Sequence, residues 1–165
     1  ILCVFSIAAE LKIKPNDIIE QIETFKTPSG RGNIIKNDKY KIIDDTYNSN
    51  FSSSVSGIKS LQKHKTKRKI VVLGDMLELG HKSKVLHLKL KECLEEHEIN
   101  HIFLYGAMIE ELYKELLKDN NKKVFHFYKK DDLIAKLIQY IEEDDIVYIK
   151  GSRGMGMEKI VKGIS

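Results

Sequence analysis

Two spacings of apolar residues alternate along this chain. Short continuous runs have the length of strands: Ile42-Ile43, Ile70-Val71-Val72-Leu73, Ile102-Phe103-Leu104-Tyr105, Val124 to Tyr128 and Ile146-Val147-Tyr148-Ile149. A run such as Ile70 to Leu73, apolar at every position, predicts a strand covered on both faces. Between the runs the apolar residues recur at helical spacing. Helices are predicted over Phe51 to His64 (Val55, Ile58 and Leu61 on one face), Lys82 to about His97, Ala107 to Leu117, Asp131 to Ile141 and Met155 to Val161.

Before this alternation the pattern differs. Arg31 to Lys36 and Tyr40 to Asp44 read as two strands joined by a tight turn at Asn37-Asp38-Lys39. Ile1 to Leu11 reads as the end of a buried helix. Pro15 is expected to end it, with Asn16 capping a second helix from Asp17 to about Phe25. Thr27-Pro28-Ser29-Gly30 reads as a linker. Alternating strands and helices predict an α/β, Rossmann-like fold: a mostly parallel sheet of about six strands, helices on both faces, the first strands forming a hairpin.

Length and composition narrow the class. The chain has 165 residues, 42% hydrophobic and 32% charged, which suits one globular domain with a sizeable core. The formal net charge of +4 suits small anionic ligands and does not by itself argue for nucleic acid. Cys3 and Cys93 lie far apart and match no metal or redox spacing, so a reducing, cytoplasmic setting is expected. No apolar run is long enough to span a bilayer as a helix. Ile1 to Leu11 lacks the basic start and the small-residue cleavage site of a signal peptide.

In a parallel sheet the loops after Ile43, Leu73, Leu104 and Ile149 open on one edge, where ligands sit in open α/β folds. The first is Asp44-Asp45-Thr46-Tyr47-Asn48-Ser49-Asn50. Its two carboxylates can accept from ribose hydroxyls or lie near a metal, and Tyr47 can stack on a base or sugar. The same residues also suit a solvated turn with Ser49 or Asn50 as a helix cap. In the second loop Asp75 can hold a metal or an amine, or cap a helix, and His87 lies on the helix that follows, within reach of the loop. In Lys150-Gly151-Ser152-Arg153-Gly154 the glycines can let backbone amides approach an anion, and Arg153 can grip a carboxylate or phosphate with two hydrogen bonds. A plain glycine turn fits too. Neither a dinucleotide fingerprint nor a P-loop string occurs, and the six histidines show no ligand spacing. The basic run Lys63 to Lys69 can touch phosphates or serve as a solvated lead-in to a strand.

Together these strings resemble the Mur ligases in order and spacing, from about Gly30 to the C-terminus. They are Gly30-Arg31, Asp44 to Asn50, Leu73-Gly74-Asp75-Met76-Leu77-Glu78-Leu79-Gly80 followed by His87, and Lys150 to Gly154. The resemblance is greatest to the branch that joins D-Ala-D-Ala to UDP-MurNAc-tripeptide. His81, Thr46 and Phe51 depart mildly from that branch's usual strings. The resemblance implies that residues 1–27 are a remnant of a central ATPase domain and 28–165 the C-terminal domain of an ATP-dependent, magnesium-using amide ligase. It implies Arg31, Asp45 and Asn48 as ATP contacts, and Tyr47, Asn50, Asp75, His87, Ser152 and Arg153 on the substrate side. The phosphate loop, the metal ligands and the catalytic residues are expected upstream of Ile1, so none is expected in this chain. A bacterial, cytoplasmic, monomeric enzyme is implied, with no nucleic-acid or membrane partner. Two alternatives stay open: a stand-alone nucleotide- or anion-binding module, and a relative that adds another amino acid.

Overall fold

A computed structural model describes residues 2–165. Six strands, β1 (Asn33–Lys36), β2 (Lys41–Asp45), β3 (Arg68–Gly74), β4 (His101–Tyr105), β5 (Lys123–Phe127) and β6 (Asp145–Lys150), form one sheet in the order β1-β2-β6-β3-β4-β5. Only the β1–β2 hairpin is antiparallel. Helices α1 (Leu2–Glu10), α2 (Pro15–Thr24), α3 (Phe51–Ser60), α4 (Ser83–Glu96), α5 (Glu110–Leu116), α6 (Lys130–Tyr140) and α7 (Glu158–Ile164) complete the chain.

Each central strand feeds two cores. Val71 and Leu73 of β3, with Ile146 and Tyr148 of β6, pack under α3, α4 and α5. Ile70, Val72, Val147 and Ile149 point the other way, against α6 and α7. That two-sided burial is why these runs are apolar at every position rather than at alternate ones. The α/β architecture with a leading hairpin is the one expected from the sequence.

The boundaries differ in instructive ways. Pro15 does not end α1; it opens α2 at its first position, where a missing N–H costs nothing. The stop for α1 is a Schellman turn: Lys12 takes a left-handed φ of 57°, its N–H reaches Ala9 and that of Ile13 reaches Ala8. Helix α3 ends at Ser60 and tightens into a 3₁₀ turn over Leu61–Lys63. Arg153–Met155 is also a 3₁₀ turn, closed by the left-handed Gly156, so α7 starts at Glu158, later than expected.

The basic run is built into the sheet at one end. Arg68 and Lys69 belong to β3, and the Arg68 guanidinium makes two hydrogen bonds to the buried Asp145, at 2.9 and 2.6 Å. It also bonds Glu142 and the Tyr140 carbonyl. Pairing with Asp145, above all, strengthens the hold of Arg68 on its proton. Only the earlier part of the run is solvated.

Helices α1 and α2 contribute to neither core. They face each other around an apolar groove of about 560 Å³ lined by Val4, Ala8, Ile13, Ile18, Ile22 and Phe25. Leu2, Ile7, Leu11 and Phe25 are more than 60% exposed, so this pair carries much bare hydrocarbon.

Candidate functional site

The loops after β2, β3, β4 and β6 meet at the carboxyl edge of the sheet, as parallel pairing requires. The Asp44-Asp45 pair lies within β2 rather than beyond it, and strand alternation sends the two carboxylates to opposite faces. Asp44 is buried. Its Oδ1 accepts from the Thr46 hydroxyl at 2.6 Å and the Thr46 N–H at 3.2 Å, which locks the turn. Asp45 stands beside Lys150 in register, and its Oδ2 accepts from Lys150 Nζ at 2.7 Å and the Tyr148 hydroxyl at 2.8 Å. Burial, and then the Asp45 charge, push the Tyr148 hydroxyl's ionisation well above its usual range. Asp45 Oδ1 takes no hydrogen bond among the described residues, and the side chain borders a cavity of about 400 Å³ that Ser53, Ser56 and His64 also line.

Asn50 caps α3 in a capping box with Ser53: its Oδ1 accepts from the Ser53 N–H at 2.8 Å. Asn48 Oδ1 accepts from the backbone of Ser49 and of Arg153, leaving its side-chain N–H groups free. The carbonyl of Gly30, a residue with φ of 78°, accepts from Tyr47 N–H at 2.9 Å, and a Cβ on Gly30 would press on that nitrogen. This stitch brings Arg31 next to the Tyr47 ring, with Cζ 4.1 Å from its centroid. Arg153 comes to the same ring at 5.8 Å. Tyr47 is 46% exposed, and neither guanidinium has a carboxylate partner among the described residues. Two like charges gathered around one exposed ring repel each other, and an anion placed between them removes that cost.

Asp75, His87 and Ser152 have different surroundings. Asp75 accepts from the N–H groups of Ile109 at 2.9 Å and Met108 at 3.1 Å, at the entry to α5. Gly106, with φ of 122°, is required there because any Cβ would strike the Asp75 carboxylate. His87 is fully buried. Its Nε2 accepts from Met76 N–H at 2.9 Å and its Nδ1 donates to the Ser83 carbonyl at 2.8 Å, which fixes the tautomer. That is the bond back to the Asp75 loop expected from its place on the helix. Ser152 Oγ accepts from Leu77 N–H at 2.8 Å and donates to the Ser49 carbonyl at 3.3 Å, so one hydroxyl ties three loops together. The polar atoms of these three side chains are taken up inside the protein. In this structure they hold the edge in shape.

The glycines after β6 likewise serve packing. A Cβ on Gly74 or Gly151 would collide with Met157, and Gly151 also abuts the Gly74 backbone, so small residues let the β3 and β6 loops touch. Lys150 and Tyr148 went unnoticed in the sequence as polar elements of the site. The available signal was a lysine ending an otherwise apolar strand. The described residues bring no three of His, Cys, Asp and Glu together as a metal-ligand set. No described helix is long and apolar enough to cross a membrane.

Fold and edge together define an α/β domain that offers anions a cationic, aromatic rim. The chain belongs to the Mur ligase family: the family profile described as "Mur ligase, glutamate ligase domain" matches residues 30–153. The UDP-N-acetylmuramoyl-tripeptide–D-alanyl-D-alanine ligase of Bacillus subtilis is 32% identical over 157 residues, covering 92% of this chain and 34% of that protein. The ligase of the same name from Buchnera aphidicola (subsp. Acyrthosiphon pisum) is 39% identical over 123 residues, 74% of this chain and 26% of the other. A crystal structure of MurF from Acinetobacter baumannii superposes with a TM-score of 0.84 at 27% identity, over 95% of this chain and 35% of that one. The chain thus spans about a third of the length of the relatives it matches.

Proposed function

We propose that this chain acts as the C-terminal domain of an ATP-dependent ligase that adds D-Ala-D-Ala to UDP-MurNAc-tripeptide in peptidoglycan precursor synthesis. The observation that carries it is the convergence of Arg31 and Arg153 on Tyr47, at the edge formed by the strings the chain shares with the family. The relatives named above support the substrates, and the MurF ligase of Thermotoga maritima, at 23% identity a likeness of fold alone, was crystallised with ADP. On this reading residues 1–27 are the end of a central domain and 28–165 the domain proper, working as a monomer in the bacterial cytoplasm.

ATP supplies the phosphoryl group that activates the substrate carboxylate. Arg31 binds and orients its phosphates. Asp45, held by Tyr148 and Lys150 through one oxygen, offers the other to the ribose, and Asn48 donates alongside. A magnesium ion would neutralise charge on those phosphates, and on this reading its ligands would belong to the central domain. Arg153, Tyr47 and the free amide of Asn50 face the peptide substrates, on a rim shaped by Asp75, His87 and Ser152. The domain swings over the reacting groups and excludes water.

The test is phosphate release by the chain extended upstream to its natural start, given ATP, magnesium and UDP-MurNAc-tripeptide, with D-Ala-D-Ala or single amino acids as acceptor. Release with the dipeptide alone is expected. Release with a single amino acid instead means another branch of the family, and none with any acceptor favours a binding module. The present 165-residue chain, which has no P-loop string, is expected to release none.

A further inference from the structure

Resting on this reading, we infer that Tyr148 is a positioning residue: seated against Gly57, it fixes Asp45 for the nucleotide's ribose and makes the enzyme select for ribose hydroxyls. Tyr148 lies within β6, is 1% exposed and packs in the core under α3. A phenylalanine would fill the same apolar space, so packing alone does not call for the hydroxyl. A buried hydroxyl is costly unless it is bonded, and this one donates to Asp45 Oδ2 at 2.8 Å. The fold makes a concession to seat it. Gly57 lies inside α3, where glycine is a poor helix former, and its φ is not left-handed. A Cβ on Gly57 would collide with the Tyr148 hydroxyl. Room for that hydroxyl, rather than backbone conformation, is what requires a glycine there.

Lys150, 3% exposed, completes the arrangement. Its Nζ donates to the same Asp45 Oδ2 at 2.7 Å and to the Asn48 carbonyl at 2.9 Å. Two donors on one oxygen fix the plane of the carboxylate, whereas Lys150 alone would let it turn about a single contact. Oδ1 accepts nothing among the described residues, and the side chain borders the cavity beside α3. A carboxylate already held in place has little freedom to lose when a hydroxyl arrives to donate to it. A nucleotide whose sugar lacks hydroxyls leaves that oxygen unpaired, which is the basis of the selection.

The experiment compares Tyr148→Phe, Gly57→Ala and Asp45→Ala with the parent in the upstream-extended chain, using ATP and 2′,3′-dideoxyATP as phosphoryl donors. The parent is expected to have a lower KM for ATP than for the dideoxy analogue. Tyr148→Phe keeps the ring and loses the hydroxyl, and Gly57→Ala displaces it. In both, the KM for ATP is expected to rise roughly three- to tenfold, the range for ordering one side chain. The KM values for 2′,3′-dideoxyATP, D-Ala-D-Ala and UDP-MurNAc-tripeptide stay fixed. With Asp45→Ala already in place, adding Tyr148→Phe changes nothing further. A KM does not depend on the fraction of enzyme folded, so a loss of stability leaves the comparison intact. An unchanged KM for ATP in either variant, or an equal rise for both nucleotides, overturns the inference. The ligase reading then stands, provided Asp45→Ala removes the preference for ATP. If Asp45→Ala keeps that preference, or the parent has none, the ribose role of Asp45 fails and the inference with it. A parent that turns over no D-Ala-D-Ala defeats the ligase reading itself.

Discussion

At the scale of single residues, the charges of this domain fall into two sets. One set is internally paired: Arg68 with Asp145, and Lys150 with Asp45. Breaking a buried pair strands its partner, so Lys150→Met is expected to cost about 3 kcal/mol, read as a lower urea midpoint. His101 illustrates the pH side. Burial first, then Arg68, lowers its pKa, and its Nδ1 lies 2.6 Å from the Tyr140 hydroxyl. A folded pKa below the unfolded one means that His101 contributes stability above about pH 6.5, lost as the pH falls through its folded value. Replacing it with Gln should flatten the decline in unfolding free energy between pH 7 and 5; an equally steep decline would refute this. The other set, Arg31, Arg153 and Lys130, has aromatic neighbours but no carboxylate partner among the described residues, and all three lie at the carboxyl edge.

At the scale of elements, turns and caps decide what periodicity leaves open. Strand β3 and helix α6 were readable from their apolar spacing alone, because burial on two faces or one stripe leaves a direct trace. Their ends were less so. The stop of α1 at Lys12 is a left-handed, non-glycine residue, which a reader tuned to Pro15 passes over. The site was legible as a set of loops but not as a set of contacts. Spacing places Asp75, His87 and Ser152 on one edge, whereas only packing shows their atoms bonded to backbone. Two substitutions test the turns. Asn50→Ala should cost about 1 kcal/mol through the lost cap. Gly106→Ala, which meets both a left-handed φ and the Asp75 carboxylate, should cost about 2 kcal/mol or more and loosen the start of α5, visible as faster amide exchange at Met108 and Ile109.

At the scale of the whole molecule, the sheet and its five covering helices form the stable body, and α1 and α2 stand apart from both cores. Removal of residues 1–27 is expected to leave the unfolding midpoint of the remainder within about 2 °C, since no core contact is lost. It should also reduce self-association, as exposed hydrocarbon at Leu2, Ile7 and Leu11 disappears. A large fall in the midpoint would mean that the helices buttress the sheet after all.

The hydroxyl of Ser152 joins the loops after β2, β3 and β6 into one piece. An edge already bonded to itself has little disorder to surrender when a guest arrives. Heat measured on binding should then reflect contacts and displaced water, with only a small entropic penalty for arranging the rim. Ser152→Ala would make the same rim softer, and its signature would be a less favourable binding entropy.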